Sequence, residues 1–102
     1  MKVVVFKPGE APVVTEIESG LKALQAVVDG YIEPVRTPIP GVVFLVNEEG
    51  LLRGLPSNRF GLVGTFCAVA VKGENFASLT EKQIKTLLNL PYHERNRITF
   101  GS

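Results

Sequence analysis

The chain is poor in the residues that most often carry chemistry. Among its 102 residues, cysteine occurs once, at Cys67, histidine once, at His93, and tryptophan not at all. A single cysteine excludes an intramolecular disulfide and a metal site built from cysteines. Nucleophilic catalysis by Cys or Ser needs a base within hydrogen-bond reach, most often histidine. His93 sits in a charged segment near the end of the chain, and Cys67 lies inside the apolar run Phe66 to Val71. A solvated imidazole and a small core thiol are the expected roles of these two residues. An excess of one charge is missing as well: Lys plus Arg number 11 against 10 for Asp plus Glu, a net charge of +1. Duplex nucleic-acid binding draws most of its affinity from a basic surplus, so it is not the expected activity. The apolar run Val3 to Phe6 is too short for a signal peptide or a membrane span, which makes the reducing cytoplasm the expected compartment.

Other constellations are thin. Glu48 and Glu49 are adjacent in a turn, where neighbouring side chains diverge and stay solvated, whereas a general acid needs a pKa shifted by burial. No His, Cys, Asp and Glu residues recur at metal-ligand spacing. The glycines at 50, 54, 61 and 64 match neither the Walker nor the dinucleotide phosphate loop. No catalytic residue, metal or cofactor is therefore expected.

What is present is a core-forming composition. Apolar residues make up 45% and charged residues 21%, as in packed globular domains, and the length suits one domain spanning residues 1–102. Val3 to Lys7 and Pro12 to Ile17 read as two strands joined by the short Pro8-Gly9-Glu10-Ala11 turn. Ser19 is a suitable N-cap for a helix with the stripe Leu21, Leu24, Val27 and Val28, stopped by Gly30. Tyr31 to Arg36 is extended, with Pro34 favouring a sheet edge. Val42 to Val46 is a continuous apolar run, expected as a buried strand. It leads into the turn Asn47-Glu48-Glu49-Gly50, from which Leu51 to Arg53 would return as a short partner strand. Thr65 to Val71 is a further strand. Thr80 with Gln83 forms a capping-box signature for a second helix whose stripe is Ile84, Leu87 and Leu88. The polar tail 92–102 carries Arg97 to Phe100 as a candidate edge strand. The expected architecture is α+β: one mainly antiparallel sheet of about five or six short strands with two helices packed on it. Its core is expected to include Val4, Leu21, Leu24, Val28, Val43, Leu45, Phe66, Val69, Ile84 and Leu87.

The densest set of specific polar residues runs from Asn47 to Arg59. Loops on a rigid scaffold commonly carry binding groups, and Asn47, Glu48, Arg53, Asn58 and Arg59 are the candidate ligand or partner contacts. Arg53 and Arg59 offer planar forks suited to phosphate or carboxylate, and Asn58 can both donate and accept. The same residues also have a purely structural reading: Gly50 and Gly54 serve turns, Pro56 stiffens the chain, and Asn58 caps its own backbone.

Leu24-Gln25, Gly30-Tyr31-Ile32-Glu33, Asn47-Glu48-Glu49-Gly50, Gly54-Leu55-Pro56, Asn58-Arg59, Gly64 and Phe76-Ala77-Ser78-Leu79-Thr80 with Gln83 follow one another in an order that resembles a family of small proteins of unknown function, DUF3846. That family is frequent in bacteriophages and other mobile elements, and the resemblance spans about residues 16 to 84. It implies no catalytic residue. It does imply a setting, the host cytoplasm, in which small non-enzymatic proteins often act by occupying a target. The first expectation is a counter-defence binding protein. It would either sequester a small anionic nucleotide-type signal, with Arg59, Asn58 and Arg53 or Lys72 as contacts, or cover a host defence protein through the Asn47–Arg59 region or an exposed strand edge. A homo-oligomer would favour sequestration, because small-ligand pockets often form between subunits. The alternative is a small hydrolase or nucleotide-modifying enzyme using Glu48 or Glu49.

Overall fold

The computed structural model of the chain describes residues 1–91. His93 and the candidate strand Arg97 to Phe100 lie outside the described residues. The order of elements is β1 (Lys2–Phe6), β2 (Val13–Glu16), α1 (Leu21–Val28), β3 (Ile32–Arg36), β4 (Val42–Asn47), a 3-10 turn (Arg59–Gly61), β5 (Phe66–Lys72), β6 (Asn75–Ala77) and α2 (Glu81–Leu88). The strands form one antiparallel sheet in the order β2-β1-β5-β4-β3, and β6 pairs with the end of β5. This is the expected α+β architecture.

The long apolar runs of β4 and β5 have a direct cause: the sheet is covered on both faces. Side chains alternate along a strand, and the register aligns the alternation across strands: Val4 faces Ala68, which faces Phe44, while Val5 faces Cys67, which faces Leu45. One face carries Val4, Phe6, Val42, Phe44, Val46, Phe66, Ala68 and Ala70 and is covered by α2 through Ile84 and Leu87 and by Phe60. The other carries Val3, Val5, Leu45, Cys67 and Val69 and is covered by α1 through Leu24. On the first face Phe6 stacks on Phe66 at 4.7 Å and Phe44 on Phe60 at 5.6 Å, with Phe6 edge-on to Phe44 at 5.6 Å. Such ring pairs add to simple area burial.

The helices confirm part of the expected stripes and correct the rest. α2 begins with a full capping box, Thr80 accepting from Gln83 N–H at 3.1 Å while the Gln83 side chain accepts from Thr80 N–H at 3.0 Å. Its contact centres on Ile84 and Leu87, so Leu88, about 100° further round the helix, is 43% exposed. α1 is capped by Gly20, not Ser19, and no side chain bonds to its first turn. Leu24 and Val28 are buried, but Leu21, in that uncapped first turn, stays 55% exposed and is not core. The left-handed residue ending α1 is Asp29 (φ 58°, ψ 46°), not Gly30. Val43 is only half-buried, at the margin of the α1 face.

Two segments differ from the expected strands. Leu51 to Arg53 forms no strand, because β3 and β5 already occupy both edges of β4. The segment folds on itself: Arg53 N–H donates to Glu49 O at 2.9 Å and Gly54 N–H to Leu51 O at 3.2 Å. Conversely, Asn75 to Ala77 is a strand, closed onto β5 by a tight turn at Gly73. Pro34 stands on edge strand β3, as expected.

Leu24→Ala should lower stability by about 2–5 kcal/mol, since its side chain is fully buried. Leu21→Ala, on the same helix, should cost less than about 0.5 kcal/mol. Urea denaturation of both variants checks the asymmetry; equal losses would place the helix face wrongly.

Candidate functional site

The connection from Glu48 to Thr65 is anchored at each end by a buried asparagine. Asn47 closes β4 with its side chain on the α1 face. Its Nδ2 donates to Val28 O and to Asp29 O, both at 3.1 Å, and its Oδ1 accepts from Glu49 N–H at 2.8 Å. The last carbonyls of a helix have no intrahelical donor. Here a strand distant in sequence supplies one. The approach is close enough to dictate the neighbouring residue, for a Cβ at position 30 would stand 2.6 Å from Asn47 Nδ2, which only glycine avoids. Gly50 N–H returns to Asn47 O at 3.0 Å and completes the expected turn.

Arg53 converges on the same helix end. Its Nη1 donates to Asp29 O at 2.9 Å and its Nη2 reaches Asp29 Oδ2 at 3.4 Å. Both side chains are well exposed, so the pair contributes at most about 1 kcal/mol. Glu48 and Glu49 point to solvent, although Glu48 N–H is held by Tyr31 O at 3.0 Å.

Asn58 anchors the other end. Its Nδ2 donates to Phe6 O at 3.0 Å and to Gly64 O at 2.7 Å, and its Oδ1 accepts from Arg59 N–H at 2.7 Å. These bonds set the 3-10 turn, in which Phe60 takes a left-handed conformation (φ 62°, ψ 24°) and enters the phenylalanine cluster. A bulky residue in that region is strained and persists only where its surroundings compensate. The adjacent Arg59 is half-buried. Asn47, Glu48 and Arg53 are thus gathered at the end of α1, and Asn58 and Arg59 at the end of β1 on the opposite face. The amides of Asn47 and Asn58 are committed to internal bonds.

A family model described as "Domain of unknown function (DUF3846)" matches residues 1–91, which include this entire loop. The chain belongs to the DUF3846 family. No curated protein and no solved structure matches it.

Two surface features of this DUF3846 domain escaped the sequence. At the tip of the anchored loop Leu51 and Leu52 are 81% and 88% exposed. On the α1 face a groove of about 300 Å³ is lined by Val5, Lys7, Val13, Thr15, Val27 and Thr65. It is assembled from four separate segments, so no local signal announces it. Cys67 lies beneath that face with no exposure, and burial pushes its thiol up to about 12. Among the described residues no group of three or more His, Cys, Asp or Glu could hold a metal, and no helix is long and apolar enough to cross a membrane.

Asn58→Ala should cost on the order of 1–3 kcal/mol, because buried Phe6 and Gly64 carbonyls lose their donor. Asn58→Asp should be at least as damaging above the carboxyl pKa, since a carboxylate cannot donate to two carbonyls. Recovery of stability on acidification of the Asp variant would be the signature, read by thermal melting.

A second expectation concerns Cys67. A thiol with its pKa raised from near 9 to about 12 stays protonated in the fold while the unfolded chain ionises. Its contribution is therefore intact below about pH 9 and is lost as pH rises toward 12. Native protein should resist thiol reagents, and Cys67→Ala should lose less stability than the parent between these pH values. Rapid labelling of the folded protein would contradict the buried assignment.

Proposed function

We propose that this DUF3846 protein acts by binding, that the Glu48–Arg53 turn is its contact surface, and that its partner is a host defence protein which the contact occludes. The observation that carries the reading is the adjacent pair Leu51 and Leu52, 81% and 88% exposed on a turn held in place by hydrogen bonds at both ends. Full burial of a leucine is worth about 1.5–3 kcal/mol. Two presented together on a preorganised turn supply a compact apolar anchor with little ordering cost on binding. Glu48, Glu49 and Arg53 surround the leucines with charge of both signs, which suits orientation against a protein surface more than capture of a polyanion. The nucleotide-sequestering alternative draws less support, because the Asn58 amide it would use already bonds to Phe6 and Gly64. The host-defence setting rests on the resemblance to small proteins of mobile elements.

The test is quantitative binding of a captured host protein to the parent, to the Leu51→Ala/Leu52→Ala double variant and to Arg59→Ala. The double variant should lose on the order of a hundredfold in affinity while its melting temperature stays unchanged. Loss confined to Arg59→Ala would transfer the function to an anionic ligand at that side chain. Multiple turnover of a nucleotide abolished by Glu48→Gln or Glu49→Gln would replace binding by hydrolysis.

A further inference from the structure

Among the described residues β2 and β3 form the two outer edges of the sheet, and they differ in their capacity to accept another strand. In an antiparallel pair, residues alternate between those bonded to the partner strand and those whose N–H and C=O point away. Met1 and Ile17 exchange both bonds, Ile17 N–H to Met1 O at 2.9 Å and Met1 amine to Ile17 O at 2.6 Å. Counting back along the β1–β2 register, Thr15 and Val13 are likewise turned to β1, and Val14 and Glu16 direct their backbone groups outward. The β3 edge is different. Pro34 lacks an N–H, so its missing donor falls in the middle of that edge, which is the usual means of blunting it. Within β2 itself every residue keeps its N–H, and Pro12 lies just before the strand. The strand is a β-branched run, Val13-Val14-Thr15, whose two valines are 57% and 41% exposed.

We infer that the β2 edge pairs antiparallel with β2 of a second copy of this chain, centred on Thr15 facing Thr15. A two-fold axis perpendicular to the sheet allows only registers that place like faces together. The register with Thr15 on the axis sets Val14 opposite Glu16 of the second copy, and Glu16 opposite its Val14. Each of those two pairs can exchange two hydrogen bonds, so every outward group of the strand is used. Moving the centre to Val14 would bring Pro12, without a donor, opposite Glu16. The chosen register sets no like charges directly opposite, and Thr–Thr cross-strand pairs are favourable. This complementarity of the strand to itself selects a second copy over a foreign strand. The axis also keeps the α1 face on one side in both copies. Val13 and Thr15 line the groove on that face, so Thr15 of the second copy borders it and the two grooves adjoin across the axis. A contact this small gives a weak dimer. The inference rests on the β2 edge alone and is independent of the Leu51–Leu52 surface.

Cross-linking tests both the pairing and its register. The central pair is of the non-hydrogen-bonded type, with Cα atoms about 4.5 Å apart, inside the range a disulfide needs. Oxidised Thr15→Cys protein should run as a covalent dimer on a non-reducing gel, and native Cys67 is too deeply buried to compete. Val13→Cys, equally on the strand but two residues from the axis, should remain uncross-linked. Val14→Pro removes only an outward donor and should shift sedimentation equilibrium toward monomer by at least about tenfold in Kd. Parent protein that stays monomeric at sub-millimolar concentration, with Thr15→Cys uncross-linked, would overturn the inference. So would equal cross-linking at positions 13 and 15, or a dimer indifferent to Val14→Pro.

Discussion

The structure depends on burying β4 and β5 on both faces at once. A sheet packed on one side would need polar residues at every second position of its central strands. Here Phe44, Leu45, Phe66, Cys67, Ala68 and Val69 are all without exposure, and neither layer alone would explain that. The helices are consequently assigned to opposite faces, α1 over Leu45, Cys67 and Val69, α2 over Phe44, Phe66 and Ala68. Small side chains at Cys67, Ala68 and Ala70 suit a strand with neighbours on both sides and a layer above and below. The same placement makes Cys67 chemically quiet, since a thiolate there would be stripped of water.

The loop follows from that arrangement. With both edges of β4 occupied, the chain after Asn47 has no strand to join and must cross the end of the sheet before it can re-enter as β5. Its backbone groups then find partners largely within the loop, as in Leu55 N–H to Gly50 O and Gly64 N–H to Pro56 O. The two buried asparagines tie the loop to the rest of the domain, one on the α1 side and one on the phenylalanine side, and each bonds to two carbonyl oxygens and one N–H. An amide is the one side chain able to do both on a short stem. Between these fixed points the residues Leu51 and Leu52 have no core to enter. Their exposure is thus a product of the topology.

Much of this could be read from residues. The alternation and punctuation of the chain located five of the six strands, Thr80 and Gln83 announced the start of α2 through a purely local reciprocal bond, and Pro34 marked an edge because a missing N–H excludes an interior position. Elsewhere the structure departs from local preference. Ser19 has the chemistry of an N-cap, yet Gly20 holds the position. Gly30 has the freedom for a helix stop, yet it is needed for the approach of Asn47 while Asp29 takes the left-handed conformation. Leu21 and Leu88 fit their helical stripes, but a stripe does not say how far the opposing sheet extends.

The candidate site divides in the same way. From the sequence alone, an α+β fold with an antiparallel sheet, a buried cysteine and a polar segment from Asn47 to Arg59 could be specified, because each rests on composition, periodicity or a turn within a few residues. Which of those residues look inward was decided by the tertiary structure. Asn47 and Asn58 have the same hydrogen-bonding groups whether they meet a ligand or a backbone carbonyl, and only the positions of Val28, Asp29, Phe6 and Gly64 settle where those groups go. The exposure of Leu51 and Leu52, the groove beside β2 and the β2 edge, unpaired on its outer side among the described residues, are likewise properties of where elements distant in sequence come to lie, for which a local pattern of side chains holds no information.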